Sequence, residues 1–191
     1  MARTVDQTRR GMLVERAADH LLEQGLITVT LRELAVAVGV SPRMLVHHFG
    51  SRDALIARAL GEARSRQRAA FESRMAPRPD RPYPDVLADA WQWFSTDEAR
   101  PYLRLFGRLH SAAQDPDSPY AEFARRSVVD WLPVVEEGFA ADGIPRDTAR
   151  ELSTLTVAVV RGLLQDANAG GDPERVSAAF DRFITLLRTT S

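Results

Sequence analysis

The chain has 191 residues, 45% hydrophobic and 27% charged, enough apolar side chain for one large packed domain or two small ones. It contains no cysteine and no long unbroken apolar run, which excludes disulfides, thiolate nucleophiles, cysteine-based metal sites and a membrane-spanning helix. The net charge is only −1, but residues 1–75 carry 12 arginines against 8 acidic residues (+4) and residues 76–191 carry 13 against 18 (−5), a division that suits a protein presenting one end to phosphate.

Residues 1–10 carry Arg3, Arg9 and Arg10 and no apolar segment before a cleavage site, so no secretion signal is expected and the cytoplasm is the expected compartment. This stretch is expected to lack regular structure, either as a cationic arm along phosphate or the minor groove or as a frayed terminus. The spacing of Leu13, Ala17 and Leu21 with Val14, Ala18 and Leu22 predicts an amphipathic helix over 11–24, stopped by Gly25, with His20 on its polar side.

Thr30 followed by Glu33 reads as a capping box, in which each residue satisfies the other's backbone N–H. Leu31, Leu34, Ala35 and Val38 then form an apolar stripe that leaves Arg32 outside, and Gly39 is the stop. Ser41 caps a second short helix opened by Pro42, with Leu45 and Phe49 inward and Arg43, Met44, His47 and His48 outward. Ala35 permits a close crossing, and Leu34, Val38, Val40 and Leu45 fill the space between the two. This is the helix-turn-helix pattern, whose second helix enters the major groove of DNA; the same pattern also fits an ordinary αα-corner in a helical core. Ser51 precedes a long helix through Met75 with Leu55, Ile56, Ala59 and Leu60 inward. Arg52 in its first turn is electrostatically unfavourable unless an anion sits there, and a DNA phosphate is the natural candidate.

Residues 14–60 resemble the N-terminal domain of TetR-family transcriptional regulators. The resemblance rests on Ala17-Ala18, Leu21, Gly25, Thr30 to Ala35, Gly39-Val40-Ser41, Leu45, His47-His48-Phe49 and Ser51 to Leu55. Two positions depart from it: Val46 stands where the family often has Tyr, removing a phosphate-contacting hydroxyl, and Arg43 stands where it often has a small residue, adding a base or phosphate contact.

Pro77, Pro79, Pro82 and Pro84 cannot continue a helix, and this run is the expected domain boundary. Beyond it the pattern is helical throughout. One helix starts at Asp85 and another at Pro101; Asp115 to Pro119 is a turn; a longer helix from Tyr120 to Ala141 is interrupted or kinked near Pro133. Trp91, Phe94, Tyr102, Phe106, Phe123 and Trp131 line these helices, with His110 as a polar group. They form either an effector pocket or a plain core. Helices over 146–168 and 172–189, separated by Gly170-Gly171, form a hairpin with Leu152, Leu155, Val159 and Leu163 on one side and Phe180, Phe183, Ile184 and Leu187 on the other. Gly162 inside a helix suggests that another backbone approaches. The resemblance implies that this hairpin pairs with its twin in a four-helix dimer interface; without it, the two helices complete the monomer core.

The expectation is therefore an all-α protein with a three-helix helix-turn-helix DNA-binding domain over 1–55, a linking helix over 52–75, and a helical ligand-binding and dimerisation domain over 76–191. Its expected function is that of a homodimeric regulator, a repressor as the resemblance implies, released from a palindromic operator in double-stranded DNA by a small apolar or aromatic effector. An effector-independent or partner-controlled regulator or activator is the alternative. Arg43 and Met44 are the expected base readers, and Thr30, Arg32, His47, His48 and Arg52 the expected phosphate contacts beside Ser41 and Pro42. No enzyme activity, cofactor or metal is expected: nucleophile motifs and glycine phosphate loops are absent, and the adjacent His47 and His48 point about 100° apart on a helix.

Overall fold

A computed structural model describes residues 2–25, 29–113 and 118–189; within the first helix, side chains are described from residue 7. The described residues form helices α1 (Ala2–Gln24), α2 (Leu31–Val38), α3 (Pro42–Phe49), α4 (Arg52–Met75), α5 (Tyr83–Trp93), α6 (Arg100–Ala112), α7 (Ala121–Val129), α8 (Leu132–Ala141), α9 (Arg146–Asn168) and α10 (Pro173–Arg188), with one isolated bridge between Arg78 and Arg81.

The first ten residues are corrected: from Ala2 onward they are helical, not an arm, and α1 runs unbroken through Gly11. No proline interrupts this stretch, and a single glycine costs a helix only about 1 kcal/mol. The Asp115 to Pro119 turn falls largely on residues outside those described. The helix expected over 120–141 is two helices, α7 and α8, divided at Asp130-Trp131, with Pro133 in the first turn of the second. Proline lacks the N–H a helix interior needs but fits a helix start, so the break falls just ahead of it.

The chain divides into two compact units, residues 1–68 and 69–191, and the division lies inside α4 rather than at the proline run. The reason is visible in the side chains. Phe71 and Met75 are buried with α5 and α8–α10 residues, so the last turns of α4 belong to the second core. The proline segment is instead the turn between α4 and α5, and Pro84 sits in the first turn of α5.

In unit 1 the core is Leu13, Ala17, Ala18, Leu21, Leu34, Val38, Leu45, Leu55, Ile56 and Leu60, contributed by all four helices. In unit 2 the Phe71 ring meets Trp93 and Trp131 at 5.3 Å each and Phe94 at 4.7 Å. The α5 start is fixed by Asp142, whose carboxylate accepts from the Tyr83 N–H, and by the Asp85 to Arg188 ion pair at 2.6 Å.

Candidate nucleic-acid interface

Short-range chemistry sets α2 and α3. The Thr30 hydroxyl accepts from the Glu33 N–H at 3.2 Å, and the Glu33 carboxylate accepts from the Thr30 N–H at 2.6 Å and from the Thr30 hydroxyl at 2.7 Å. These bonds hold the Glu33 carboxyl below the usual carboxylate range, the hydroxyl bond contributing most. Gly39 ends α2 in the left-handed region at φ 75°, where a side chain would be strained. Ser41 Oγ then accepts from the Met44 N–H at 3.3 Å, and Pro42 opens α3.

The anchoring of α3 divides its side chains by face. Leu45 and Phe49 are buried, Met44 and His48 half-buried, and Ser41, Pro42, Arg43, Val46 and His47 exposed. Phe49 is flanked by two guanidinium groups, Arg10 at 5.7 Å and Arg58 at 5.9 Å from its ring centroid, each worth about 0.5–1 kcal/mol at such sites. On α2, Arg32 is exposed, as expected, and Val36 is 78% exposed. Thr30 is exposed, with its hydroxyl engaged in the capping box as both donor and acceptor.

Arg52 has partners within the chain. Its Nε–H donates to the Val29 carbonyl and its Nη1 lies 2.6 Å from the Asp53 carboxylate, so two partners within the chain already offset the charge at the start of α4. Pattern reading also missed Arg16, whose Nη1 donates to the Val38 carbonyl at 3.1 Å. Both contacts span more than twenty residues, and no local spacing announces them.

Residues 13–59 match the pattern of the bacterial regulatory proteins of the tetR family. The chain is 29% identical over 187 residues, 91% of its length and 89% of the relative's, to a helix-turn-helix-type transcriptional repressor of Mycobacterium tuberculosis. Residues 13–59 thus carry the DNA-binding region typical of the TetR family. A second match, 36% identical to the helix-turn-helix-type transcriptional regulator BetI of Rhizobium meliloti, covers 78 residues, 39% of this chain and 38% of that protein. Among solved structures, a transcriptional regulator from Rhodococcus superposes with a TM-score of 0.70 at 26% identity over 93% of this chain and 94% of the other. Another Rhodococcus structure, described as a putative TetR-family regulator, superposes with a TM-score of 0.73 at 18% identity over 94% and 98%, a likeness of fold. These matches support a DNA-binding transcriptional regulator of the TetR type.

The side chains expected at an effector pocket fall into two packed groups. Trp91, Phe94, Tyr102 and Trp131 belong to the large core, where Trp91 stacks on Phe180 at 4.2 Å and an interplanar angle of 11°. Phe106 and Phe123 stack separately at 6.0 Å. Beside them, His110 Nδ1 lies 2.6 Å from the Phe106 carbonyl, which can only accept, so Nδ1 carries a proton; Nε2 lies 3.0 Å from Ser127 Oγ. An open cleft of about 290 Å³ lies elsewhere in the unit, lined by Arg74, Arg78, Asp89, Trp93 and Glu98 among others and by none of the expected pocket residues.

The expected dimer residues divide as well. Leu152, Phe180, Ile184 and Leu187 are buried within the chain itself, between 1% and 7% exposed. Leu155 is 55% exposed, Gly162 is exposed with nothing within 4 Å of where its Cβ would stand, and Val159, Leu163 and Phe183 are half-buried. Leu186, which the pattern missed, is 59% exposed on α10.

Proposed function

We propose that this TetR-family regulator is a repressor that reads a palindromic operator as a homodimer and is released by a small-molecule effector bound within residues 69–191. The observation that carries the reading is the outward edge of α3, where Arg43, Val46 and His47 stand exposed while Leu45 and Phe49 anchor the helix. A guanidinium on this edge can pair bidentately with guanine O6 and N7, and Met44 and Val46 supply apolar contact for a thymine methyl. Arg32, Ser41, His47 and His48, with Thr30 and Pro42 at the two helix starts, are the phosphate-side contacts. Repression is supported by the printed function of the M. tuberculosis relative.

One eight-residue helix reaches only a few base pairs, so two copies one helical turn or a multiple apart are needed for useful specificity. The exposed apolar residues Leu155 and Leu186, with Gly162 open to close approach, support pairing of α9 and α10 with a second copy. Release then follows from tighter effector binding to a form with wrongly spaced α3 helices, with a coupling of about 1–3 kcal/mol.

The test is selection of the purified protein on a randomised duplex library at two salt concentrations. A recovered palindrome with steep salt dependence is the expected result. No enrichment at low salt would overturn the reading.

A further inference from the structure

α2 has eight residues, too few to hold a helix by itself, so what fixes its ends fixes its direction. The two ends are tied to different helices. At the C-terminal end, the Gly39 and Val40 N–H groups satisfy the Val36 and Ala35 carbonyls, and the Val38 carbonyl accepts from Arg16 Nη1 of α1, a cation where the helix dipole favours one. At the N-terminal end, the carbonyl of Val29, a buried residue immediately ahead of the Thr30 cap, accepts from Arg52 Nε of α4. Arg52 is in turn oriented by Asp53 at 2.6 Å, and the Ser51 hydroxyl, which accepts from the Ala54 N–H at 3.1 Å, caps the start of α4.

We propose that Arg16 and Arg52 are positioning residues for DNA binding: they lock both ends of α2 to α1 and α4, and through the buried Leu34, Ala35 and Val38 they hold α3 in its reading orientation. The inference rests on the proposed operator reading. It removes Arg52 from the phosphate contacts and gives its side chain a geometric role in place of an electrostatic one.

The two roles predict opposite orders for conservative variants at position 52. Glutamine places Nε2 at the same bond count from the backbone as arginine Nε and keeps the donor to Val29 without charge. Lysine keeps the charge but has a methylene at that point. The measurement is operator affinity at several salt concentrations, at a temperature well below each variant's unfolding midpoint, where a loss of stability alone leaves Kd unmoved.

With wild type binding the selected operator as control, Arg52→Lys and Arg16→Ala should bind about tenfold or more weakly with the wild-type salt slope, and Arg52→Gln should stay near wild type. If Arg52→Lys matches wild type while Arg52→Gln loses affinity and about one unit of salt slope, Arg52 is a phosphate contact and the proposal fails. Affinities unchanged in all three variants would leave both arginines merely structural and equally overturn it. If one position-52 variant does not fold, the other still separates the roles, because retained or lost affinity with its slope has opposite meaning for each. Failure of the wild-type control is a failure of the operator reading alone.

Discussion

The ring of Tyr83 stands where a Cβ at position 138 would have to be: an ideal Cβ built on Gly138 lies 2.0 Å from Tyr83 Cζ. Tyr83 is fully buried, meets Phe139 edge-on at 5.1 Å, and is pinned at its backbone by Asp142, so the ring has no open side toward which to retreat. Gly138→Ala should therefore lower the unfolding free energy by about 1–3 kcal/mol or more, read as a reduced urea midpoint. An unchanged midpoint would mean that α5 and α8 slide apart at little cost.

The stacked pair Trp91 and Phe180 sets a second expectation. Phe180→Ala removes a ring that is 1% exposed and should cost about 3–5 kcal/mol in urea unfolding, because the cavity beside Trp91 cannot fully collapse. Leu155→Arg and Gly162→Leu should do the reverse: leave the core intact and shift sedimentation toward monomer. A dimer that survives both surface changes would contradict pairing through this face.

The capping box gives a pH-dependent expectation. The Glu33 carboxyl is held below its ordinary 4.5 by the Thr30 hydroxyl and amide. A carboxyl depressed in the folded state contributes stability that is present above the unfolded value and lost as pH falls through the folded one. The gap in urea midpoint between wild type and Glu33→Gln should thus be full at neutral pH and close progressively below 4.5. Thr30→Ala should cost about 0.5–2 kcal/mol at neutral pH. A Glu33 gap independent of pH would contradict the assignment.

Arg43 supplies the expectation for specificity. Arg43→Ala should relax base preference at one position of each half-site, with a loss of about 1–3 kcal/mol of discrimination in competition binding against single-base variants. Unchanged preference across all positions would remove Arg43 from the reading set.

The helix-turn-helix was legible because its signals are local. Thr30 with Glu33, Gly39, and Ser41 with Pro42 each act within four residues, and residues this close in sequence meet whatever the rest of the chain does. Arg16 and Arg52 were not legible, since their partners Val38 and Val29 lie 22 and 23 residues away and a guanidinium bound to a carbonyl leaves no periodic trace. Periodicity found the apolar face of α10, yet apolar spacing cannot say whether a face covers its own subunit or a second one. Phe180, Ile184 and Leu187 turned inward, and the single exposed Leu186 broke no pattern. For the aromatics of α5 to α8 the spacing announces burial, and only three-dimensional packing reveals that Trp91 lies against Phe180 and Phe106 against Phe123.

The central claim is that two α3 helices of one dimer read two half-sites at a fixed spacing. Its most direct test takes the selected operator and inserts five base pairs, about half a helical turn, between the half-sites. Binding should fall toward the non-specific level, roughly a thousandfold or more, and inserting a further five should not restore it beyond what a dimer of fixed span allows. Affinity that is indifferent to the first insertion would show that the half-sites are read independently and would contradict the account.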